Sequence, residues 1–481
     1  MEGEEKRASD LEGSTRRKPI SSKAPYDDDG LQKRTGTLWT AMAHIVTAVI
    51  GSGVLSLAWA MAQLGWAFGP AVLIIFSLIT LFTSFLLADC YRNSDPIAGK
   101  RNYNYMSAVK SNLGPVQIWM CGFCQYLNLC GTAVGYTITA SISAAALKKS
   151  HCFHKFGHRA DCSISYSVYM VGFGGVQLLL SQLPDLHNLW WLSVLASIMS
   201  FSYSLIGVGL ALAHTISGYK RNTTVTGTIV GIDVTEAEKV WNVFNALGNI
   251  AFAYSYSMIL IEIQNTLKSP PAENTVMKKA SMIGILTTTT FYMLCGCLGY
   301  AAFGNDAPGN MLTGFGFYEP FWLIDVANIC IVVHLLGAYQ VFCQPVFAIV
   351  EETITKRWPH LTVLTNEITL MKLQSLPIKL NLLRLVWRTA FVVAFTFVAI
   401  VMPFFNDIMG FLGAVAFWPL TVYFPVEMYM KQRKVARLSQ KGAMLQTLSL
   451  LCLFVSMAAA IGSIKGIITS LGQYRPFQTK S

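Results

Sequence analysis

Long apolar runs alternate with short polar connections along almost the whole chain. About 20 apolar residues are enough for a helix to cross a hydrocarbon core that is roughly 30 Å thick. Eleven runs of about this length are present, and they cover residues 38–64, 69–91, 116–147, 165–183, 190–214, 240–266, 280–303, 320–350, 385–403, 407–430 and 443–470. The pattern therefore predicts an all-α membrane protein with about eleven transmembrane helices.

The composition agrees with a chain that is solvated mainly by lipid. Charged residues make up 13% of the 481 residues, whereas soluble domains carry roughly 25%. Residues 1–36 are polar and contain no apolar core, so we expect a cytoplasmic tail without a cleavable signal peptide. The net charge of +11 would raise the question of nucleic acid in a soluble protein. Here the position of the charges matters more, and no nucleic-acid partner is expected.

The distribution of Lys and Arg predicts the orientation of the chain. If the N-terminus is cytoplasmic, the cytoplasmic connections hold 25 of these residues and the outer connections hold 9. Cytoplasmic loops of membrane proteins carry an excess of positive charge, so we expect the N-terminus inside. With an odd number of spans, the C-terminus is then extracellular.

Two connections on the predicted outer side contain residues that suit an extracellular environment. The loop after the third span contains Cys152 and Cys162, and an oxidising exterior permits a disulfide there. The loop after the fifth span contains Asn222 in an Asn-Thr-Thr glycosylation pattern, although this pattern also occurs by chance. The histidines near the two cysteines have no clear ligand spacing, so no metal site is expected.

Gly51-Ser52-Gly53 lies at the middle of the first span. Glycine costs a helix about 1 kcal/mol relative to alanine, so this triplet predicts an interrupted helix. Small residues can instead mark close helix packing, but a triplet fits an unwound segment that lines a cavity better. An interruption exposes amide donors and the positive end of the next half-helix. We therefore expect a carboxylate site that includes Ile50, Gly51, Ser52 and Gly53.

A second interruption is expected five spans later, because transporters built from inverted repeats contain paired broken helices. Small and polar residues of the sixth span place it at Phe252, Ala253, Tyr254 and Ser255. No glycine pair marks this position, and serine or tyrosine there can alternatively be a hydrogen-bond partner of a neighbouring helix. Gln125 and Asn128 of the third span are further polar candidates for the same site.

Ionisable residues are rare inside the spans, and there they usually point to function. His44 precedes Gly51 by seven residues, His334 lies near the middle of the eighth span, and Glu262 lies in the cytoplasmic half of the sixth. Histidine changes charge near pH 6.5, so His44 and His334 are candidates for proton coupling, although each can also be a neutral packing residue. Glu262 is a further candidate because it is an ionisable residue within a span. Residues 325–352 contain no Ser or Thr that could bind sodium. We expect the proton as coupling ion and no cofactor.

Long, ordered motifs run from Lys33 almost to the C-terminus. They are KRTGTLWTAMAHIVTAVIGSGVLSLAWAMAQLGW (33–66), LADCYR (87–92), KRNYNYM (100–106), GYTITASIS (135–143), IAFAYSYSMILIEIQ (250–264), CGCLGYAAFG (295–304), FWLIDVANI (321–329), HLLGAYQVF (334–342), LVWRT (385–389) and FWPLTVYFPVEMY (417–429). These motifs resemble those of the plant amino acid permeases, in the amino acid/auxin permease family. The N-terminal tail is outside the resemblance.

The resemblance implies a leucine-transporter-like fold, in which a 5+5 inverted repeat is followed by one extra C-terminal helix. The chain is then divided into a cytoplasmic tail, a first repeat, an extracellular loop, a second repeat and a final segment. Their bounds are 1–36, 37–214, 215–239, 240–430 and 431–481. In that fold the first interruption binds the substrate carboxylate and helps to hold the amine, and the interruption at 252–255 completes the pocket.

The resemblance also implies roles for single residues. His44 and His334 correspond to histidines of the family, and Cys152 and Cys162 correspond to a pair in its outer loop. Asn249 departs from the family pattern Gly-Asp-Ile-Ala-Phe-Ala-Tyr, because it stands where the acid is expected. Asparagine does not titrate, so a proton role of that acid is in question here, unless the acid serves only as a hydrogen-bonding group that Asn can replace.

We therefore expect a proton-coupled symporter that imports a broad range of amino acids, neutral and also basic or acidic, across the plasma membrane by alternating access. The alternative is a membrane receptor that senses amino acids with little or no transport. An enzyme is not expected, because the spans contain no paired metal ligands, nucleophile–base set or phosphate loop. The expected partners are the amino acid, protons and the lipid bilayer, and the sequence predicts no oligomeric state.

Overall fold

The computed structural model describes residues 26–31, 33–96, 99–157, 160–162, 164–182, 190–218, 221–315, 321–359, 367–373 and 376–474. Most of the predicted tail and the last seven residues of the chain lie outside these ranges.

Helices form most of the described chain. The α-helices are α1 (Leu38–Val49), α2 (Leu57–Asp89), α3 (Tyr105–Asn112), α4 (Pro115–Phe156), α5 (Tyr166–Ser181), α6 (Trp190–Ile216), α7 (Glu236–Ala253), α8 (Ser257–Gln264), α9 (Glu273–Phe303), α10 (Phe321–Arg357), α11 (Leu382–Val401), α12 (Phe405–Ala416), α13 (Phe424–Gln432) and α14 (Gln440–Gln473). Short 3-10 helices cover Ser52–Ser56, Gly304–Asp306 and Met311–Phe315, and a π-helix covers Phe417–Tyr423. The all-α membrane fold is confirmed.

One hairpin adds to this helical architecture. Strands β1 (Glu367–Leu373) and β2 (Leu376–Asn381) pair antiparallel. They lie in the polar connection between α10 and α11, which the apolar pattern left without a predicted element.

Nine segments of the described chain are long and apolar enough to cross a membrane. They are Ser52–Asp89, Pro115–Phe156, Val194–Ile216, Glu236–Gln264, Glu273–Asp306, Phe321–Arg357, Leu382–Val401, Phe405–Gln432 and Gln440–Gln473. Two further apolar helices, Leu38–Val49 and Tyr166–Ser181, are shorter. These elements lie at the positions of the predicted spans, and the number of crossings remains a prediction.

The segment Ser52–Asp89 turns back on itself at Gly65. This residue has a φ of +74° inside α2, a conformation that glycine adopts without a steric penalty. A Cβ added to Gly69 would lie 3.6 Å from the Cα of Met61, although eight residues of straight helix rise about 12 Å. The first predicted span therefore ends near Gly65 and the second begins there. The backbone of Gly227 packs against this turn, since a Cβ on Gly65 would lie 2.2 Å from its nitrogen.

Burial separates central helices from peripheral ones. The most apolar stretch is 72% buried in Pro115–Phe156, 72% buried in Glu236–Gln264 and 78% buried in Phe405–Gln432. The corresponding stretch is only 28% buried in Leu382–Val401 and 33% buried in Gln440–Gln473. The exposed side of α14 is apolar, with Leu450, Leu451, Phe454, Met457, Ile461, Ile464 and Ile468. Such a surface suits lipid contact. The three segments with the highest burial, which are the third, sixth and tenth predicted spans, therefore form the core of the bundle.

A tail ion cluster joins the end of the N-terminal tail to two connections on the predicted cytoplasmic side. It consists of Asp27, Asp28, Asp29, Arg34, Arg92, Arg101 and Glu273. Arg34 contacts Asp27 at 3.0 Å and Asp29 at 2.8 Å. Arg92 contacts Asp28 and Glu273, each at 2.7 Å. Arg101 contacts the same two acids at 2.5 and 3.1 Å. Arg92 and Arg101 therefore hold the end of the tail against the bundle, and Arg34 adds hydrogen bonds to Asn265.

Candidate functional site

The first interruption begins where α1 ends. Val49 is the last residue of α1, Ile50 and Gly51 are not helical, and a 3-10 helix begins at Ser52 and runs directly into α2. The interruption is therefore centred on Ile50 and Gly51. Ser52 and Gly53 open the next half-helix, and the first amides of a helix have no intrahelical acceptor. The predicted triplet thus supplies both the unwound backbone and the free donors that follow it.

Helix α6 binds the carbonyl groups that this interruption frees. Ser200 Oγ donates to the carbonyl of Ile50 at 2.9 Å. The Tyr203 hydroxyl lies 3.3 Å from the same oxygen and 3.0 Å from the carbonyl oxygen of Gly51. The acceptors of the interruption are therefore occupied by protein groups. The amides of Ile50 and Gly51 donate to the carbonyls of Val46 and Val49, so the available donors are the amides of Ser52 and Gly53, which open the next half-helix.

The predicted second interruption is present in the sixth span. Helix α7 ends at Ala253, residues 254–256 are not helical, and α8 begins at Ser257. Tyr292 of α9 is fully buried, and its hydroxyl lies 2.8 Å from the carbonyl oxygen of Ala253. The same hydroxyl contacts the carbonyl oxygen of Val49. One tyrosine from a third helix therefore links the two interrupted helices.

A small cavity lies between the two interruptions. Its lining consists of Ala48, Val49, Gly51, Ser52, Gly53, Asn128, Thr132, Tyr136, Phe252, Ala253, Ser255, Met258 and Phe342. Among the predicted substrate-binding residues, the structure brings together Gly51, Ser52, Gly53, Asn128, Phe252, Ala253 and Ser255. Both interruptions and the third span therefore face one enclosed space, and the substrate role of these residues stays a prediction.

The sequence interpretation missed several lining residues. Thr132 and Tyr136 follow Asn128 at spacings of four and eight on α4, and residues four apart share a helix face. Their spacing from Asn128 is the signal that could have identified them. Met258 and Phe342 carry no such signal, because apolar side chains on buried helix faces are ordinary core residues.

Three predicted binding residues lie behind the lining. Gln125 Nε2 donates to the carbonyl of Met258 at 3.2 Å. The Tyr254 hydroxyl donates to Thr289 Oγ1 at 3.1 Å. Ile50 is fully buried, and its carbonyl is directed towards α6. These side chains support the wall of the cavity.

The lining contains polar groups and carries no Lys, Arg, His, Asp or Glu. Asn128 Nδ2 donates to the carbonyl of Leu412 at 3.2 Å, and its Oδ1 is buried without a donor. The amides of Ser52 and Gly53 begin a helical segment, where the positive end of the peptide dipoles favours an anion. The site thus offers donors to an anionic group and an acceptor to a cationic one.

His334 places an unpaired nitrogen beside the first interruption. The side chain is fully buried, and Nδ1 lies 3.0 Å from the carbonyl oxygen of Ala196 and 2.9 Å from Ser200 Oγ. A carbonyl only accepts, so Nδ1 carries the hydrogen and Nε2 is the acceptor of the neutral ring. Nε2 has no partner, and it would lie 3.9 Å from a Cβ on Gly51.

His44 and Glu262 do not line the cavity. His44 is half-buried on α1. Glu262 Oε1 accepts from the amide of Tyr105, the first residue of α3, at 3.1 Å, and its Oε2 is buried without a donor. The carboxylate therefore caps a short helix, and the proton-coupling roles of both residues remain predictions.

Of the two modifications predicted in the outer loops, the structure tests the disulfide. Cys152 and Cys162 form a disulfide with a Cα–Cα distance of 6.0 Å, as predicted. Asn222 is exposed, and its carbonyl accepts from the amide of Asn305 at 2.9 Å; its glycosylation stays a prediction. Within the described ranges, no group of three His, Cys, Asp or Glu residues is arranged to hold a metal ion.

Two interrupted helices around a central cavity, inside a bundle of apolar helices, define a transporter of the discontinuous-helix class. Solved structures share this fold. The structure of MhsT in complex with L-phenylalanine aligns with a TM-score of 0.57 at 9% identity, covering 90% of this chain and 100% of that chain. MHP1, a nucleobase-cation-symport-1 family transporter, aligns with a TM-score of 0.52 at 12% identity, covering 92% and 94%. The leucine-transporter-like fold is confirmed.

The family follows from the sequence itself. Residues 34–469 match the family model described as transmembrane amino acid transporter protein. Amino acid permease 6 of Arabidopsis thaliana is 59% identical over 455 residues, which cover 94% of this chain and 95% of the relative. Amino acid permease 8 of the same plant is 58% identical over 456 residues with the same coverage. The chain belongs to the transmembrane amino acid transporter family, among the plant amino acid permeases, and it is a multi-pass membrane protein that transports amino acids.

Proposed function

We propose that the protein imports amino acids together with protons across the plasma membrane by alternating access. The observation that carries the proposal is the cavity between the interruptions, whose lining includes Ser52 and Gly53 at the start of a helical segment and the unpartnered Asn128 Oδ1. A zwitterion needs donors for its carboxylate and an acceptor for its ammonium group, and the lining supplies both without an ionised side chain.

In this proposal the substrate carboxylate binds the amides of Ser52 and Gly53. The ammonium group donates to Asn128 Oδ1. The substrate side chain packs against Phe252 and Phe342. The lining carries no ionised side chain, which favours neutral side chains, and basic or acidic substrates must keep their charge near water.

The proton is proposed to bind Nε2 of His334. This nitrogen is an unpaired acceptor next to Gly51, so protonation adds a positive charge close to the carboxylate end of the cavity. An anionic substrate group and the proton then stabilise each other, which is thermodynamic coupling between two bound ligands. The absence of Ser and Thr in residues 325–352 argues against a sodium cage built from α10 hydroxyls. His44 and Glu262 remain secondary candidates for the proton path.

Substrate-induced currents test the proposed function directly. Currents are recorded from cells that express the full chain, with acidic, neutral and basic amino acids at two external pH values. We expect currents that grow as external pH falls, persist without sodium and collapse with a protonophore. Uptake that survives the protonophore and follows sodium would contradict proton coupling. Binding without counterflow in liposomes would favour the receptor alternative.

His334→Ala separates coupling from substrate binding. We expect proton-driven uptake to fall strongly, while substrate binding, measured with the purified protein, changes less. The control is His214→Ala, which removes a half-buried histidine at the end of α6. A normal pH dependence in His334→Ala would exclude this residue from coupling.

A further inference from the structure

Asp407 is a carboxylate at the outer end of the tenth predicted span, and its hydrogen-bond partners are neutral. It lies in the first turn of α12 and is half-buried. Asn245 Nδ2 of α7 donates to its Oδ1 at 2.6 Å, and Ser470 Oγ of α14 donates to its Oδ2 at 3.1 Å. Gly466 leaves the space for it, because a Cβ there would lie 2.1 Å from Oδ1. Three helices therefore meet around this carboxylate.

No described residue forms an ion pair with Asp407. Helices α7, α14 and α4 pack against α12. Their outer parts carry the ionisable groups Glu236, Glu238 and Lys239 on α7, Lys465 and Tyr474 at the end of α14, and Tyr136, Lys148, Lys149, His151, His154 and Lys155 on α4. Lys239 donates instead to the carbonyls of Gln63 and Thr226. The positive end of α12 stabilises the carboxylate in part. A partly buried carboxylate without a counter-ion is nevertheless costly.

A chain of amide contacts runs from Asp407 towards the second interruption. Asn245 Oδ1 accepts from Ser463 Oγ at 3.0 Å and lies 3.2 Å from Asn249 Nδ2. Asn249 Nδ2 also donates to the carbonyl of Asn406 at 3.0 Å, whereas its Oδ1 is buried without a donor. Asn249 precedes Phe252 by three residues. Position 249, where the family pattern predicts an acid, is therefore joined to Asp407 through a single asparagine.

The backbones of α7 and α12 touch along the same stretch. A Cβ on Gly248 would lie 2.4 Å from the carbonyl oxygen of Gly410, and a Cβ on Gly413 would lie 2.5 Å from the amide nitrogen of Phe252. Close-packed contacts of this kind transmit small shifts because they leave no free space. A rearrangement around Asp407 therefore reaches a residue that lines the cavity.

We propose that Asp407 is the proton-responsive positioning residue of the second interruption and replaces the carboxylate that is missing at Asn249. This inference rests on the proposed proton coupling. When Asp407 binds a proton, its hydroxyl donates where the carboxylate accepted. The Asn245 amide then turns over, so that its oxygen faces Asp407 and its Nδ2 faces Asn249. Asn249 Nδ2 then loses the Asn245 side chain as an acceptor and keeps only the carbonyls of Asn245 and Asn406, so the link from Asp407 to position 249 is broken. No covalent bond forms or breaks beyond the O–H bond of the bound proton.

The test compares the pH profile of labelled amino acid uptake in the full-length wild type and in variants at equal surface expression. Asp407→Asn keeps the shape of the side chain and cannot titrate, so we expect loss of the stimulation by external acid. The double variant Asn249→Asp/Asp407→Asn returns a carboxylate to the network, and we expect acid stimulation to return. Asp306→Asn changes an exposed acid that does not contact this network and should keep the wild-type profile.

A fourth variant covers the case in which Asp407→Asn does not reach the membrane. Ser470→Ala removes one donor to the carboxylate, and we expect the midpoint of its pH profile to shift. An unchanged midpoint in Ser470→Ala, or a wild-type profile in Asp407→Asn, overturns the role of Asp407. If the wild type itself shows no acid stimulation and no sensitivity to a protonophore, the proposed proton coupling fails instead.

Discussion

Gly51 and Gly53 are two residues apart, yet a side chain would meet different surroundings at each. A Cβ on Gly51 would lie 3.6 Å from the Tyr136 hydroxyl and 3.9 Å from His334 Nε2, which are ordinary contact distances. A Cβ on Gly53 would lie 3.1 Å from the Cα of Ala253 and 3.3 Å from its Cβ. Gly51 therefore leaves space for a ligand, whereas Gly53 allows the two interruptions to approach each other.

This difference predicts opposite outcomes for the same substitution. We expect Gly53→Ala to reduce uptake strongly, because the methyl group pushes α7 away from the first interruption. Gly51→Ala should keep substantial uptake, whereas Gly51→Val should lose it because a branched side chain crowds the carboxylate position. The measurement is initial uptake normalised to surface protein. Equal losses in the two alanine variants would contradict the assigned division of roles.

Tyr292→Phe removes one oxygen from the link between the interruptions. Carbonyls that lose a buried donor cost about 1–3 kcal/mol each, and 1.4 kcal/mol corresponds to roughly a tenfold change in an equilibrium constant. We expect KM for the amino acid to rise by about tenfold. Tyr339→Phe is the matched control, because this tyrosine is buried to a similar degree and its hydroxyl contacts the Cys343 side chain, which belongs to neither interruption. An unchanged KM in Tyr292→Phe would assign the hydroxyl to packing alone.

At the scale of elements, the two interruptions differ in how visible they are in the sequence. The first is marked by local glycines at positions 51 and 53. The second has no such mark, because Tyr292, which binds the carbonyl of Ala253, lies 39 residues away on another helix. Local composition could therefore predict the first break, and the second needed the inverted-repeat argument.

The ends of helices also could not be predicted from local composition alone. Helix α4 continues to Phe156, although its apolar run ends near residue 147. Hydropathy marks where a chain leaves lipid, whereas a helix ends where its hydrogen bonds end, here at Gly157 with a φ of +84°. The β1–β2 hairpin was missed for a related reason, since it lies in a polar connection that carries no apolar run.

Glu262 provides a test at this scale, because capping and proton coupling predict different results. Gln keeps an oxygen that accepts from the Tyr105 amide, so Glu262→Gln should retain uptake with a normal pH profile if the residue only caps α3. Glu262→Ala removes the acceptor, and lost caps cost about 1 kcal/mol. Thermal unfolding in detergent measures this loss. A flattened pH profile in Glu262→Gln would support the predicted coupling role instead.

At the scale of the whole molecule, the tail ion cluster joins segments that are far apart in sequence. Arg92 and Glu273 are 181 residues apart, and Arg92 and Asp28 are 64 apart. Charge counts could predict the side of the membrane on which these residues lie, but not their pairing, because pairing depends on how α2 and α9 pack. The family resemblance supplied the fold, and the position of the tail is new information from the structure.

Asp29→Asn tests the stability that this cluster provides. Burial raises the pKa of Asp29, but the bonds from Arg34 and the Leu31 amide outweigh it and lower the pKa from 3.8 to about 2. A lowered folded-state pKa stabilises the protein above the unfolded value, and this contribution is lost as the pH falls through the folded value. The gap in melting temperature between wild type and variant should therefore stay constant above about pH 4 and close towards about pH 2.

The control for this measurement is Glu352→Gln, which breaks an exposed pair with Lys356 within α10. Exposed pairs four apart on a helix contribute only about 0.3–0.5 kcal/mol, so its melting temperature should remain close to wild type. A gap for Asp29→Asn that changes between neutral pH and pH 5 would show that another group controls the stability of the tail.

The turn at Gly65 also determines where a reporter can be inserted. At both Gly65 and Gly227, main-chain atoms of the other segment leave no space for a side chain. A Cβ on Gly227, for example, would lie 2.3 Å from the carbonyl oxygen of Ala62. No compensating side-chain change can relieve such a clash, so the loop around Gly227 does not tolerate an epitope tag. A few residues later, Ile232 is 78% exposed and Gly231 has open space around it. A tag inserted after Ile232 interrupts the local turn of residues 229–234, but the helical bundle should stay intact. Antibody staining of unpermeabilised cells would then reveal which face of the membrane this loop occupies.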